Sequence, residues 1–173
     1  MTAADQTHWS LAWRERPPEE AAHFNPAFCG ELLARTTGDY AKVRGTALPL
    51  AFVFLVLPLT LPPSLRRILP GRADTAFASW AGDNADVLTT VPERTMRLRP
   101  VTRESLLFAT QVSALVISSE GVSVGASPFR LAAKSAATTE ETNDIRRRAG
   151  LLGRWFAAQG STAAILQTLG VRV

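Results

Sequence analysis

The chain has 173 residues, 46% of them hydrophobic and 20% charged. That is enough to bury one sizeable core and too apolar for a disordered segment. A single cysteine, Cys29, excludes an internal disulfide framework and a cysteine-built zinc site, and two histidines, His8 and His23, leave a histidine metal site short of ligands.

Charge is unevenly spread. Residues 1–31 carry two arginines against five carboxylates, whereas residues 32–173 carry seventeen basic against ten acidic groups. A basic body attracts nucleic acid or an acidic protein partner. Seventeen of the nineteen basic residues are Arg, however, and a GC-rich genome produces the same bias.

Along the chain, residues 1–12 read as a loose arm anchored by Trp9 and Trp13, and residues 13–173 as one α-rich domain. No basic stretch leads into an apolar run at the start, so no secretory signal is read and the cytoplasm is expected. Pro17-Pro18 followed by Glu19 and Glu20 opens a short helix over 18–24. Asn25-Pro26 is a fresh helix start, with Asn as cap and Pro in the first turn. Phe28, Leu32 and Leu33 then share one face of a helix over 26–36, which Thr36-Thr37-Gly38-Asp39 should end. Residues 41–46 read as loop.

Ala47–Leu59 is thirteen nonpolar residues in a row. A membrane span needs roughly 20, so the segment is buried core. Its period does not decide between strand and buried helix over 48–61. A short helix follows over Ser64–Leu69, with Ser64 as cap. Ala73–Ala81 carries Phe77 and Trp80 at i, i+3, and Ala85–Val91 is short. Thr102 is a cap candidate for a helix holding Leu106, Leu107 and Ala109. The period then changes. Leu115–Ile117, a Ser-Ser-Glu-Gly turn and Val122–Gly125 predict a β-hairpin near 115–125. The fold class is therefore mainly α with a small β element (α+β), and a hairpin directly after a helix is a winged-helix-like arrangement. Residues 126–139 read as a linker.

Glu140–Ala158 is the clearest helix, with Ile145, Ala149, Leu152 and Phe156 in one stripe. Ser161 caps a last helix over 162–169, closed by Gly170. Ala149, Gly153 and Ala157, widened by Gly150, form a small-residue strip. Either core packing or a partner can occupy such a strip.

No nucleophile elbow, phosphate-binding loop, dinucleotide fingerprint or zinc-protease helix is present. No catalytic, cofactor-binding or metal-ligating residue is assigned, and the chain is expected not to be an enzyme. Cys29, beside Phe28 and Leu32, reads as a small apolar core residue. Two arginine groups stand out. Arg94, Arg97, Arg99 and Arg103 are the candidates for nucleic-acid contact. Arg146, Arg147 and Arg148 point three ways on a helix, the pattern of a solvated face.

Two stretches carry a resemblance. One is Trp13, Arg16-Pro17-Pro18-Glu19-Glu20-Ala21, Phe24-Asn25-Pro26-Ala27-Phe28-Cys29 and Leu32-Leu33. The other is Leu152-Gly153-Arg154-Trp155-Phe156-Ala157, Gly160-Ser161, Ile165 and Leu169-Gly170-Val171-Arg172. Together, and with the Leu/Pro-rich segment 48–62, they resemble the middle-component proteins of bacterial three-component ABC-ATPase systems of the Lamassu type. Ala22-His23 and the terminal Val173 depart from that pattern. The resemblance implies a non-enzymatic adaptor that binds an SMC/Rad50-like ABC ATPase and links it to an effector, often a nuclease, in anti-phage or anti-plasmid defence. It implies no cofactor on this chain. The residues expected at the partner contact are Arg16, Asn25, Phe28, Arg154 and Trp155. The alternative is a winged-helix-type DNA-binding module using Arg94, Arg97, Arg99 and Arg103.

Overall fold

The computed structural model describes residues 24–130 and 138–172. The expected arm 1–12, all but the end of the 18–24 helix, and much of the 126–139 linker lie outside these residues.

Helix α1 (Pro26–Arg44) starts as its sequence predicts. The Asn25 side chain accepts from Ala27 N–H at 2.8 Å, and Pro26 occupies the first turn. Such a cap contributes about 1 kcal/mol. The helix does not stop at Thr36-Thr37-Gly38-Asp39, nor is 41–46 a loop, because α1 continues to Arg44. Thr36 and Thr37 are buried instead of exposed. The Thr36 hydroxyl lies 3.0 Å from Leu32 O and 2.9 Å from Ala149 O, so its one hydrogen serves a neighbouring helix as well as its own. The real stop is Gly45, left-handed at φ 75°, whose N–H donates to Ala41 O.

The apolar segment resolves as a helix, α2 (Leu50–Thr60), buried on almost every side. A helix apolar all round belongs in the middle of a fold, and α2 lies against the later helices Val91–Gln111 and Glu140–Ala158. Pro58 sits inside it, and the Thr60 hydroxyl donates to Val56 O at 2.6 Å. Helix α3 (Pro63–Ile68) follows, entered through Pro62 and Pro63, with no side-chain cap from Ser64. Two short helices, α4 (Phe77–Asp83) and α5 (Ala85–Leu88), lead to the long α6 (Val91–Gln111). The expected start at Thr102 is wrong. Pro92 opens α6, and the buried Thr102 hydroxyl donates to Leu98 O within the helix. Leu106 and Ala109 of this stretch are buried, whereas Leu107 faces outward.

The hairpin forms as read. Strands β1 (Leu115–Ser118) and β2 (Gly121–Val124) pair antiparallel, Leu115 opposite Val124 and Ser118 opposite Gly121. Leu48 exchanges two backbone hydrogen bonds with Val122, at 2.9 and 2.8 Å, which sews the outer edge of β2 to the start of α2. Helix α7 (Glu140–Ala158) begins with Thr139 accepting from Thr142 N–H, and α8 (Thr162–Thr168) with Ser161 accepting from Ala164 N–H.

The core is one continuous cluster in which α1 packs most extensively against α7 and next against α6. The small-residue strip of α7 makes the first contact possible. A Cβ on Gly153 would overlap the Thr36 carbonyl oxygen and lie 2.9 Å from the Tyr40 nitrogen. The strip is filled from within the fold. At Gly150 a Cβ would lie 2.8 Å from Asp39 Oδ2, the end of a side chain that can move. The two glycines should therefore behave oppositely to substitution. Gly153→Ala should lower stability by about 1–3 kcal/mol, since backbone cannot give way cheaply. Gly150→Ala should stay within about 1 kcal/mol of the parent, because the gain in helix propensity offsets the carboxylate's shift. Chemical denaturation of both variants measures this.

Candidate functional site

The residues expected at a partner contact divide sharply once placed. Arg16 lies outside the described residues. Asn25 is half-buried, with its oxygen engaged as the α1 cap. Phe28 is half-buried beneath Arg146, whose guanidinium carbon stands 5.7 Å from the ring centroid. The same guanidinium forks onto Glu31, Nε to Oε1 at 2.9 Å and Nη2 to Oε2 at 2.8 Å. Arg154 stays on the surface, where it pairs with Asp39 of α1.

Trp155 is a correction. Its relative exposure is 0%, so it offers no side-chain surface to a partner. The indole N–H donates to Thr75 O at 2.7 Å, and the ring meets Trp80 edge-on at 4.7 Å between centroids. Phe77 leans on it at 5.4 Å, and the adjacent Phe156 stacks on Phe52 of α2 at 4.3 Å. Buried aromatics in such edge and offset pairs dominate core energetics. Lying about 100° around the helix from Phe156 and one turn from Leu151, the indole reads from the sequence as the edge of a second, outer face. The 70–83 segment folds over that face and closes it.

The arginines at 146–148 do point three ways, but only Arg147 is exposed, and it pairs with Asp144 at 3.1 Å. Arg148 donates to Leu69 O and Pro70 O beyond the end of α3. A further cation escaped the sequence reading altogether. Arg66 is 6% exposed, and donates to Thr60 O and Leu61 O at 3.0 and 2.7 Å. It also pairs with Glu141 at 2.7 Å and Asp144 at 3.1 Å. Nothing in a lone Ser-Leu-Arg-Arg stretch signals this, since the partners lie 75 and 78 residues away.

The second arginine group disperses along α6. Arg94 is half-buried, with Nε 3.3 Å from the Thr90 hydroxyl, and Arg97 pairs with Glu93 at 3.7 Å. Arg99 and Arg103 are exposed, and among the described residues no ion pair holds either. Beside them stand two exposed apolar side chains, Met96 at 70% and Leu107 at 60% exposure. Sequence reasoning missed Met96. The signal was available as a row at i, i+4, i+7, i+11, namely Met96, Pro100, Arg103 and Leu107, hidden by the false helix start at Thr102.

Cys29 is fully buried, and burial pushes its thiol up to about 12, with Glu104 adding to the rise and Ser105 partly opposing it. Among the described residues no group of three or more His, Cys, Asp or Glu side chains could hold a metal ion. Nor, among them, is any helix long and apolar enough to cross a membrane.

Two measurements follow from this placement. Trp155→Ala should cost about 3–5 kcal/mol of stability, whereas Arg154→Ala, which breaks a half-exposed ion pair, should cost less than about 1 kcal/mol. Thermal and chemical melts of the isolated variants compare them. For Cys29, the folded chain keeps the thiol proton to about pH 12, while an unfolded chain begins to lose it near 8.5. Between those values the unfolded state binds fewer protons, so stability is full below the window and falls as pH rises through it. The fall should reach about 1.4 kcal/mol per pH unit and should be absent from the difference between pH 7 and 9.5 in Cys29→Ala. Denaturation of both proteins at the two pH values is the check.

No curated protein and no solved structure matches the chain. The family described as ABC-three component (ABC-3C) system Middle Component 3 matches residues 13–173. That span takes in the capped start of α1, the buried α2, the hairpin and the Gly-Arg-Trp-Phe turn of α7, and the chain belongs to this middle-component family.

Proposed function

We propose that the chain is the non-catalytic accessory subunit of its three-component system, an adaptor. It binds an SMC/Rad50-like ABC ATPase in the cytoplasm and couples it to an effector subunit, often a nuclease, in defence against phage or plasmids. The family match over 13–173 carries this reading. The polar chemistry supports it. The thiol of Cys29 is pushed far from reactivity, and Arg66, Arg146 and Arg148 all bond within the fold. ATP and its magnesium belong to the ATPase, and this chain holds no cofactor of its own.

A second reading is a winged-helix-type DNA-binding module. The observation in its favour is the exposure of Arg99 and Arg103 on the helix that runs directly into the hairpin. One preparation separates the two. The tagged chain, co-expressed with the two subunits encoded beside it, should recover the ATPase in fixed stoichiometry, and cells lacking this chain should lose protection in a phage plaque assay. Recovery of neither subunit, together with sequence-preferring duplex binding by the isolated chain at physiological salt, would replace the adaptor with the DNA reader.

A further inference from the structure

Helix α6 turns its inner side to the core through Val91, Thr95, Leu98, Val101, Thr102, Ser105, Leu106 and Ala109. At 3.6 residues per turn, Met96, Pro100, Arg103 and Leu107 form a single row on the opposite side, about 16 Å long, with Arg99 beside it. All five are exposed. Met96 and Leu107, at 70% and 60% exposure, are the most exposed large apolar side chains among the described residues, and they stand at the two ends of one row. The arginines lie between them. Pro100 has no N–H, so the Met96 carbonyl loses its usual helical donor on this same face.

Three properties of the row define what covers it. The charges in the row itself are arginines: of the carboxylates nearest it, Glu93 pairs with Arg97 at one end, and Glu104, beside Arg103, is half-buried. The row's cations are guanidiniums, which are weakly hydrated and fork onto carboxylates. Met and Arg are enriched at protein interfaces where Lys is depleted. A phosphate backbone would satisfy Arg99 and Arg103 but would press charged oxygens against Met96 and Leu107. A helix with carboxylates at its middle and apolar side chains at either end satisfies the whole row, and three turns of helix match its length.

We infer that the outer face of α6 is the docking surface for an acidic, apolar-faced helix of a partner subunit in the three-component system. Met96 and Leu107 pack at its ends, and Arg99 and Arg103 pair with carboxylates at its centre. This rests on the adaptor reading. It leaves the α1–α7 seam, which holds the family motifs, to the interior.

The test uses the full chain co-expressed with both co-encoded subunits. The double variant Arg99→Glu/Arg103→Glu should weaken recovery of one subunit at least tenfold at low salt, and Met96→Ser/Leu107→Ser at least tenfold at high salt. Thermal melts of both variants should stay with the parent, because all four side chains are exposed. With p-benzoylphenylalanine in place of Leu107, cross-linked peptides should come from an acidic helical segment of that subunit. Reversing its carboxylates to Lys should restore binding to the Arg99→Glu/Arg103→Glu chain. Folded variants that assemble as the parent does would overturn the docking surface and leave the adaptor standing. Cross-links confined to nucleic acid would also overturn it. A parent chain that recovers neither subunit would remove both readings.

Discussion

The distance between α1 and α7 governs the fold, and Gly153 sets that distance. With the Thr36 carbonyl and the Tyr40 nitrogen pressed against the position a Cβ would take, the two backbones run closer than any larger residue would allow. Close approach brings the Thr36 hydroxyl to Ala149 O, Arg154 to Asp39 and Arg146 to Glu31. Each bond is modest alone, and the half-exposed pairs contribute little. What they share is a register. Sliding α7 by one turn against α1 would remove the glycine from the carbonyl and break all three pairings together. Gly150 and Gly153 each cost the isolated helix about 1 kcal/mol relative to Ala, and only this packing offsets that loss.

A second tie fixes the other side of α7. Arg66 takes up two carbonyls at the end of α2 and two carboxylates in the first turns of α7. A buried guanidinium left without partners is strongly destabilising, so α2 can end only where α7 begins. The aromatic group of Phe52, Phe77, Trp80, Trp155 and Phe156 fills the space that these two constraints enclose.

Local signals in the sequence were read well where the chemistry is local. The Asn25-Pro26 start, the Ser161 cap, the hairpin of two four-residue strands and the α7 stripe all emerge from residues close to one another in the chain. The signals failed where a distant segment decides. Thr36-Thr37-Gly38-Asp39 has the composition of a stop, yet both threonines are buried in the core and α7 gives the Thr36 hydroxyl a second acceptor. Periodicity left 48–61 open between strand and helix because a segment buried on all sides has no polar face to set a period. Thr102 mimicked a cap, and that error hid the Met96–Leu107 row. Trp155 was assigned to an outer face because the sequence does not show that residues 70–83 close over it.

The motifs that carry the family resemblance thus have structural work to do. Gly153 permits the approach of α1, Arg154 pairs with Asp39, and Trp155 and Phe156 enter the core. Asn25 and Pro26 start α1, and Phe28 supports the Arg146 guanidinium. Residues fixed by packing are poor choices for recognising a partner, because a change that retunes recognition would also destabilise the fold. The outer row of α6 has no such restriction. Its inner side is locked to α1, which is locked in turn to α7, so a ligand on the outer row would meet a helix whose position is already determined. Binding there would order few main-chain groups, and the main conformational cost would be the rotamers of Met96, Arg99, Arg103 and Leu107. An adaptor of the kind proposed would gain from this division. The side chains of the outer row could vary with the partner, while the seam that places them stays the same.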